Sequence, residues 1–209
     1  MQAFTTVSAV AAPLDLPNID TDRIIPARFL RKPKSPELAD VLFRDVRFDA
    51  EGNEREDFVL NQPPFRNAKV LVVAENFGCG SSREGAVWAL MHHGIRCVIG
   101  PSFGDIFMEN CFKNGVLAIV VPAETAAGLR GQLHGHPGAH MSVELERQTV
   151  TAPDGTAHRF DVHPFRKQAL LKGQDEIALT MEYAQAIEAH EARRAAEMPW
   201  LLSGDGPAA

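Results

Sequence analysis

The chain has 209 residues, enough to bury a full core, and its 45% hydrophobic and 23% charged residues are the balance of a soluble globular protein. Its 21 basic and 27 acidic residues leave a net charge of −6 without a basic stripe, which argues against nucleic acid as a partner. Any cluster of cations is then a local device for an anionic ligand.

No run approaches the roughly 18 apolar residues of a membrane span. The N-terminal stretch "MQAFTTVSAVAAPLDLP" lacks the positive region of a signal peptide and is predicted to form a first strand. "NIDTDRIIPARFL" (18–30) reads as an Asx-rich turn leading into an apolar strand that Pro26 stops. Residues 31–67 are charged, proline-bearing and weakly periodic, and are expected to form a long mobile excursion with a short helix, near the site. "KVLVVAE" (69–75) has the continuous β-branched character of a strand buried on both faces. A glycine-rich turn, "ENFGCGSSREG" (75–85), leads into a predicted helix "SREGAVWALMHH" that Gly94 terminates. "IRCVIG" (95–100) is a second strand, and Ser102 is placed to cap the helix "FGDIFMENCFK", which stops at Asn114-Gly115. "VLAIVV" (116–121) is a third strand. Strand, helix, strand, helix, strand at this spacing predicts βαβ units and a mainly parallel sheet.

A helix over 123–134 follows, then a loop "HGHPGAH". Its histidines, His134, His136 and His140, have no partner carboxylate nearby and fit a surface loop better than a metal site. "MSVELERQTVTAPDGTAHRFDV" predicts antiparallel strands with a turn at Asp154-Gly155. The last third is helical, with an acidic, alanine-rich stretch at 182–197 that reads as a solvated face. The domain is thus expected over 1–200, with a disordered tail at 201–209. The three cysteines, Cys79, Cys97 and Cys111, contain no C-x-x-C pair. They suit a reducing cytoplasm and argue against a disulfide framework, a structural zinc or an iron–sulfur cluster on this chain. Cys97 and Cys111 fall at core positions of a strand and a helix, and Trp88 and Leu90 at packing positions.

The turn at 75–85 carries the chemistry. In an open parallel sheet, ligands bind beyond the carboxyl ends of the strands, which is where this turn lies. Gly78 and Gly80 let the backbone take positive φ and approach a ligand around Cys79. The amides of Ser81 to Glu84 would be free donors at a positive helix end, and Arg83 adds a fork matched to a carboxylate. The residues alone leave other readings open. Ser81-x-x-Glu84 also fits a capping box that serves only the helix. A P-loop would need a lysine before the serines. Cys79 as a nucleophile would need a base, and His92 and His93 lie at the far end of the same helix.

"NIDTD-x-IIP-x-x-FL", "ENFGCGSSRE", "PSF-x-DIF" and "DEIALT" occur in order from about residue 3 to about residue 192. Together they closely resemble the small subunit of bacterial 3-isopropylmalate dehydratase, the counterpart of the swivelling fourth domain of aconitase. The resemblance implies an α/β fold of three layers, β/β/α, with a mainly parallel central sheet. It implies a hydro-lyase in leucine biosynthesis, active only with a large subunit whose three cysteines hold a [4Fe-4S] cluster, and acting on a small dicarboxylate. No metal or cofactor would be bound by this chain, and neither nucleic acid nor membrane is a partner.

By the same resemblance Ser81 is the base, and Ser82 and Arg83 bind substrate. Asp20, Thr21 and Asp22 lie near it. Phe29 and Leu30 are apolar candidates for the substrate's variable side chain. Arg28, Arg31 and Lys32 are candidates for its second carboxylate. The chain departs from the family's SSREHA at Gly85, which costs up to about 1 kcal/mol of helix stability relative to alanine and removes a side chain near the site. That bears on the substrate's alkyl group, because paralogous hydratases of the citraconate or dimethylmalate type share the scaffold. A non-catalytic phosphate- or nucleotide-binding module is the reading of a different class.

Overall fold

A computed structural model describes residues 1–201. Apart from Leu201, the tail expected at 201–209 lies outside the described residues. In chain order the elements are β1 (Thr6–Leu14), the one-turn helices α1 (Thr21–Ile24) and α2 (Arg44–Arg47), β2 (Val70–Val73), α3 (Glu84–His93), β3 (Cys97–Gly100), α4 (Asp105–Asn114) and β4 (Leu117–Val120). Then come α5 (Ala123–Gly135), β5 (His140–Glu144), β6 (Thr149–Thr151), β7 (Ala157–Arg159), α6 (Pro164–Lys172), α7 (Glu176–Met181) and α8 (Ala184–Glu197). The fold is α/β, and no helix among the described residues is long and apolar enough to cross a membrane.

The seven strands run β4-β3-β2-β1-β5-β6-β7. β1 is the pivot, and its length of 9 residues reflects two jobs. Ala11 to Leu14 pair in parallel with Val70 to Val73 of β2, while Thr6 to Val10 pair antiparallel with Glu144 to His140 of β5. The parallel half, β4-β3-β2-β1, is the expected βαβ core; β5, β6 and β7 form the antiparallel half, with Gly155 at positive φ in its predicted turn.

Alternation along each parallel strand sorts side chains into two cores. Leu71, Val73, Val98 and Ala118 face a first core with Ala86, Val87 and Leu90 of α3. Val70, Val72, Cys97, Ile99, Leu117 and Ile119 face a second, with Leu129 and Leu133 of α5 and Met141, Val143 and Val150 of the antiparallel half. A parallel strand buried on both faces is therefore apolar throughout, the pattern that made β2 legible. The excursion closes the first core: Leu38, Leu42, Phe43 and Leu60 are all at most 1% exposed. α8 buries no residue, as its acidic, alanine-rich composition predicts.

Two local expectations are corrected. Thr21–Ile24 form a one-turn helix rather than the start of a strand. The Asp20 carboxylate accepts from Arg23 N at 2.7 Å, and Ile25 N closes the turn on Thr21 O at 2.9 Å. Ser102 does not cap α4, whose N-cap is Gly104; the Ser102 hydroxyl instead accepts from Asn76 N at 2.8 Å. The predicted glycine stops hold, with Gly94 and Gly115 left-handed after α3 and α4. α5 runs one residue past its expected end at 134, to Gly135.

At the far end of α3 the His93 Nε2 is buried and has no hydrogen-bond partner among the described residues. Burial holds its pKa down to about 4 from an ordinary 6.5; Arg47 adds to the effect and Asp40 opposes it. The unfolded chain takes up that proton below about pH 6.5 while the folded chain does not. Stability present above pH 6.5 is therefore lost as the pH falls toward about 4. Denaturation midpoints measured from about pH 7 to about pH 4.5 should fall, and His93→Gln should flatten that fall; an unchanged slope in the variant would contradict the assignment.

Candidate active site

Backbone hydrogen bonds lace together the three segments that leave the carboxyl ends of β1, β2 and β3. Gly78 N donates to Ile19 O at 2.7 Å and Thr21 N to Cys79 O at 2.9 Å. On the other side Phe77 N donates to Ser102 O at 3.2 Å and Gly104 N to Phe77 O at 3.0 Å. Asn18 N donates to Glu75 O at 3.0 Å, and the Asn76 amide donates to Asn18 Oδ1 at 2.8 Å. Both asparagines sit at positive φ, 54° and 58°, a region this side chain tolerates. The lacing needs bare backbone. A Cβ on Gly78, at φ +73°, would stand 2.2 Å from the Phe107 ring, and one on Gly104 would stand 2.4 Å from the Gly78 carbonyl oxygen.

The two flagged motifs thus meet, and the NIDTD residues divide the work. Asp20 caps α1. Thr21 is 2% exposed, and its hydroxyl donates to Ser81 O at 2.9 Å, fixing the turn from below. Asp22 forms an ion pair with Arg83, whose side chain is only 16% exposed. That leaves Ser81 and Ser82 exposed on the crest, where their amides and those of Arg83 and Glu84 donate to no other group among the described residues. Free amides, a helix N-terminus and a sheltered guanidinium converge on one small surface, an arrangement suited to a carboxylate.

The capping box does not form. α3 starts at Glu84 with Arg83 as N-cap and no side-chain cap. Glu84 Oε1 instead accepts from the Asn114 amide at 2.7 Å. The Ser81 hydroxyl is thereby left without a hydrogen-bond partner among the described residues. Beside the turn lies a cavity of about 210 Å³ walled by Ile25, Phe29, Leu30, Leu38 and Trp88, with Gly85 in its lining and Lys32 and Arg83 as its cations. A Cβ at position 85 would lie 3.4 Å from Leu30 Cδ2 and 3.8 Å from Ile25 Cδ1, so the missing side chain leaves the cavity wider.

The three basic candidates after Pro26 separate. Arg28 pairs with Asp45 and lies over the Phe29 ring; that pairing raises the guanidinium pKa and lowers the carboxyl pKa. Lys32 reaches Glu37 at 3.8 Å. Arg31 is exposed and has no partner among the described residues. Cys79 is half-buried in the turn, whereas Cys97 and Cys111 are fully buried and burial raises both thiol pKa values. No group of three metal-ligating side chains occurs among the described residues; His134 pairs with Asp15 at 2.6 Å. Sequence reading passed over Asn18, Asn76, Phe107 and Asn114. Only the asparagines left a trace, as residues flanking turns.

An α/β sheet with a glycine-rich turn of free amides at its carboxyl edge, laced to the segment after β1, defines the chain as a domain of the aconitase swivel type. Residues 1–124 match the model of the aconitase C-terminal domain, 128–164 that of LeuD_N, and 176–203 that of the C-terminal domain of the 3-isopropylmalate dehydratase small subunit. A 3-isopropylmalate dehydratase small subunit of Rhodospirillum centenum is 50% identical over 97% of this chain and 100% of its own length. That of Caulobacter vibrioides is 53% identical over 96% and 99%. The chain belongs to the family of 3-isopropylmalate dehydratase small subunits. A solved 3-isopropylmalate dehydratase chain from Methanocaldococcus jannaschii, 23% identical, shares the fold with a TM-score of 0.60 over 89% of this chain and 99% of its own.

Proposed function

We propose that the chain is the small subunit of an isopropylmalate isomerase, interconverting 2-isopropylmalate and 3-isopropylmalate in the cytoplasm by loss and re-addition of water. The observation that carries this reading is the crest of the turn, where exposed Ser81 and Ser82 stand over unengaged amides beside Arg83. One substrate carboxylate lies on those amides and on Arg83, in competition with Asp22. Arg31, which has no partner among the described residues, and Lys32, which lines the cavity with Arg83, are the basic candidates for the second carboxylate. The alkyl branch enters the cavity walled by Phe29, Leu30 and Trp88.

Ser81 Oγ takes the proton from the carbon next to the one bearing the hydroxyl, and returns it when water adds back in the opposite sense. A serine hydroxyl is a weak base, so its charged form must be stabilised by donors already in place; one such donor is typically worth roughly 3 kcal/mol in the transition state. The chain's own donor set does not suit a cluster, because two of its three thiols are sealed in the cores. The [4Fe-4S] cluster belongs to the large subunit and supplies the Lewis acid that assists departure of the hydroxyl. Ser81 and Ser82, both exposed, can face that partner.

In the complex, Ser81→Ala should lower kcat by about a thousandfold or more while leaving the melting temperature and co-elution with the large subunit unchanged; a variant within about tenfold of wild type would overturn the base assignment. Gly85→His should narrow the cavity. The ratio of kcat/KM for 2-isobutylmalate over 2-isopropylmalate should drop by about tenfold, the usual worth of one methylene; an unchanged ratio would detach Gly85 from side-chain recognition.

A further inference from the structure

Outside the turn, a buried polar side chain at the first core's rim has all of its hydrogen-bonding capacity filled. Asn114, the last residue of α4, is 6% exposed. Its Oδ1 accepts from Lys34 Nζ at 2.7 Å and from Trp88 Nε1 at 3.1 Å. Its Nδ2 donates to Glu84 Oε1 at 2.7 Å and to Asn110 O at 3.0 Å. Two donors and two acceptor positions are the whole capacity of an amide, and all are used. The partners lie on three separate pieces of chain: α3, α4 and the excursion.

Glu84 and Trp88 both line the cavity beside the turn, although Asn114 does not. Glu84 follows Arg83 directly and opens α3. Lys34, which also lies over the Trp88 ring, is two residues beyond Lys32, another lining residue. One buried amide therefore fixes the first residue of the catalytic helix, the aromatic wall and the flank of the excursion together. We propose that Asn114 is a positioning residue for the isomerisation: by holding Glu84, Trp88 and Lys34 it sets the stance of the Ser81–Arg83 turn against the alkyl cavity. The proposal rests on the isomerase reading above. It explains why Glu84 makes no capping box, since its carboxylate is engaged 30 positions away. It also explains why an amide and not a carboxylate stands at 114, because the bond to Glu84 needs a donor.

The test uses four small-subunit variants, each assembled with the large subunit and assayed on 2-isopropylmalate. Asn114→Asp sets two carboxylates face to face and should lower kcat/KM by between about tenfold and about a hundredfold, the scale of a misplaced site. Glu84→Gln keeps the acceptor oxygen and should lose less rate than Glu84→Ala. The double variant Glu84→Gln/Asn114→Asp reverses the polarity of the bond to residue 84, leaving only the lost bond to Asn110 O uncompensated, and should be at least about threefold faster than Asn114→Asp, a recovery that a merely structural asparagine would not give. Glu84→Ala removes one bond at an exposed side chain, folds whatever Asn114→Asp does, and should show the same slowing with melting temperature and partner co-elution unchanged. Wild-type rates in Asn114→Asp or Glu84→Ala, or a double variant as slow as Asn114→Asp, would overturn the proposal. Failure of the isomerase reading is a separate result: no turnover of 2-isopropylmalate by the wild-type complex.

Discussion

The backbone seam between Phe77, Gly78 and Cys79 and the segments on either side is the constraint on which the rest depends. Four hydrogen bonds, from Gly78 to Ile19, Thr21 to Cys79, Phe77 to Ser102 and Gly104 to Phe77, tie the exits of three parallel strands into one rim. The seam forms only because Gly78 and Gly104 have no side chain, and the Phe107 ring fills the space against Gly78. With the amides of Phe77 and Gly78 committed to the seam, the amides just beyond, at 81–84, are left over. The anion site of the proposed reading is thus the uncommitted continuation of a structural device.

Electrostatics follow from that placement. In a chain of net charge −6, Arg83 is sheltered and paired with Asp22, which keeps its fork aimed along the rim. A neutralised pair at the mouth of an acidic protein can exchange one carboxylate for another without a large change in local charge. On the opposite side the apolar walls come from two remote places, the segment after Pro26 and the middle of α3, brought together over Gly85. On the proposed reading a branched dicarboxylate needs both surfaces: the polar one comes from a single stretch, 81–84, and the apolar one from two.

Much of this was legible in the sequence. The run β2-α3-β3-α4-β4 announced itself through doubly buried apolar strands and through Gly94 and Gly115 at helix ends. Pairing "NIDTD" with "GCGSSRE" identified the two halves of the rim. What failed were local rules overruled by distant partners. Ser81-x-x-Glu84 met the spacing of a capping box, but Asn114 claimed the glutamate. Ser102 looked like a helix cap, but Asn76 claimed its hydroxyl. The 18–25 segment lacked helical periodicity because one turn is too short to show any, and its shape is settled by Asp20 and by bonds to the seam. No spacing rule reads a partner 60 residues away, which is how far Thr21 lies from Ser81.

On the proposed reading the rim is half of a site whose other half lies on a second chain. The most direct test compares the rate of 2-isopropylmalate conversion by the purified chain, by the purified large subunit, and by an equimolar mixture under anaerobic conditions. Conversion is expected in the mixture alone. Turnover by this chain without its partner, or a mixture no faster than the large subunit by itself, would contradict that division of the site.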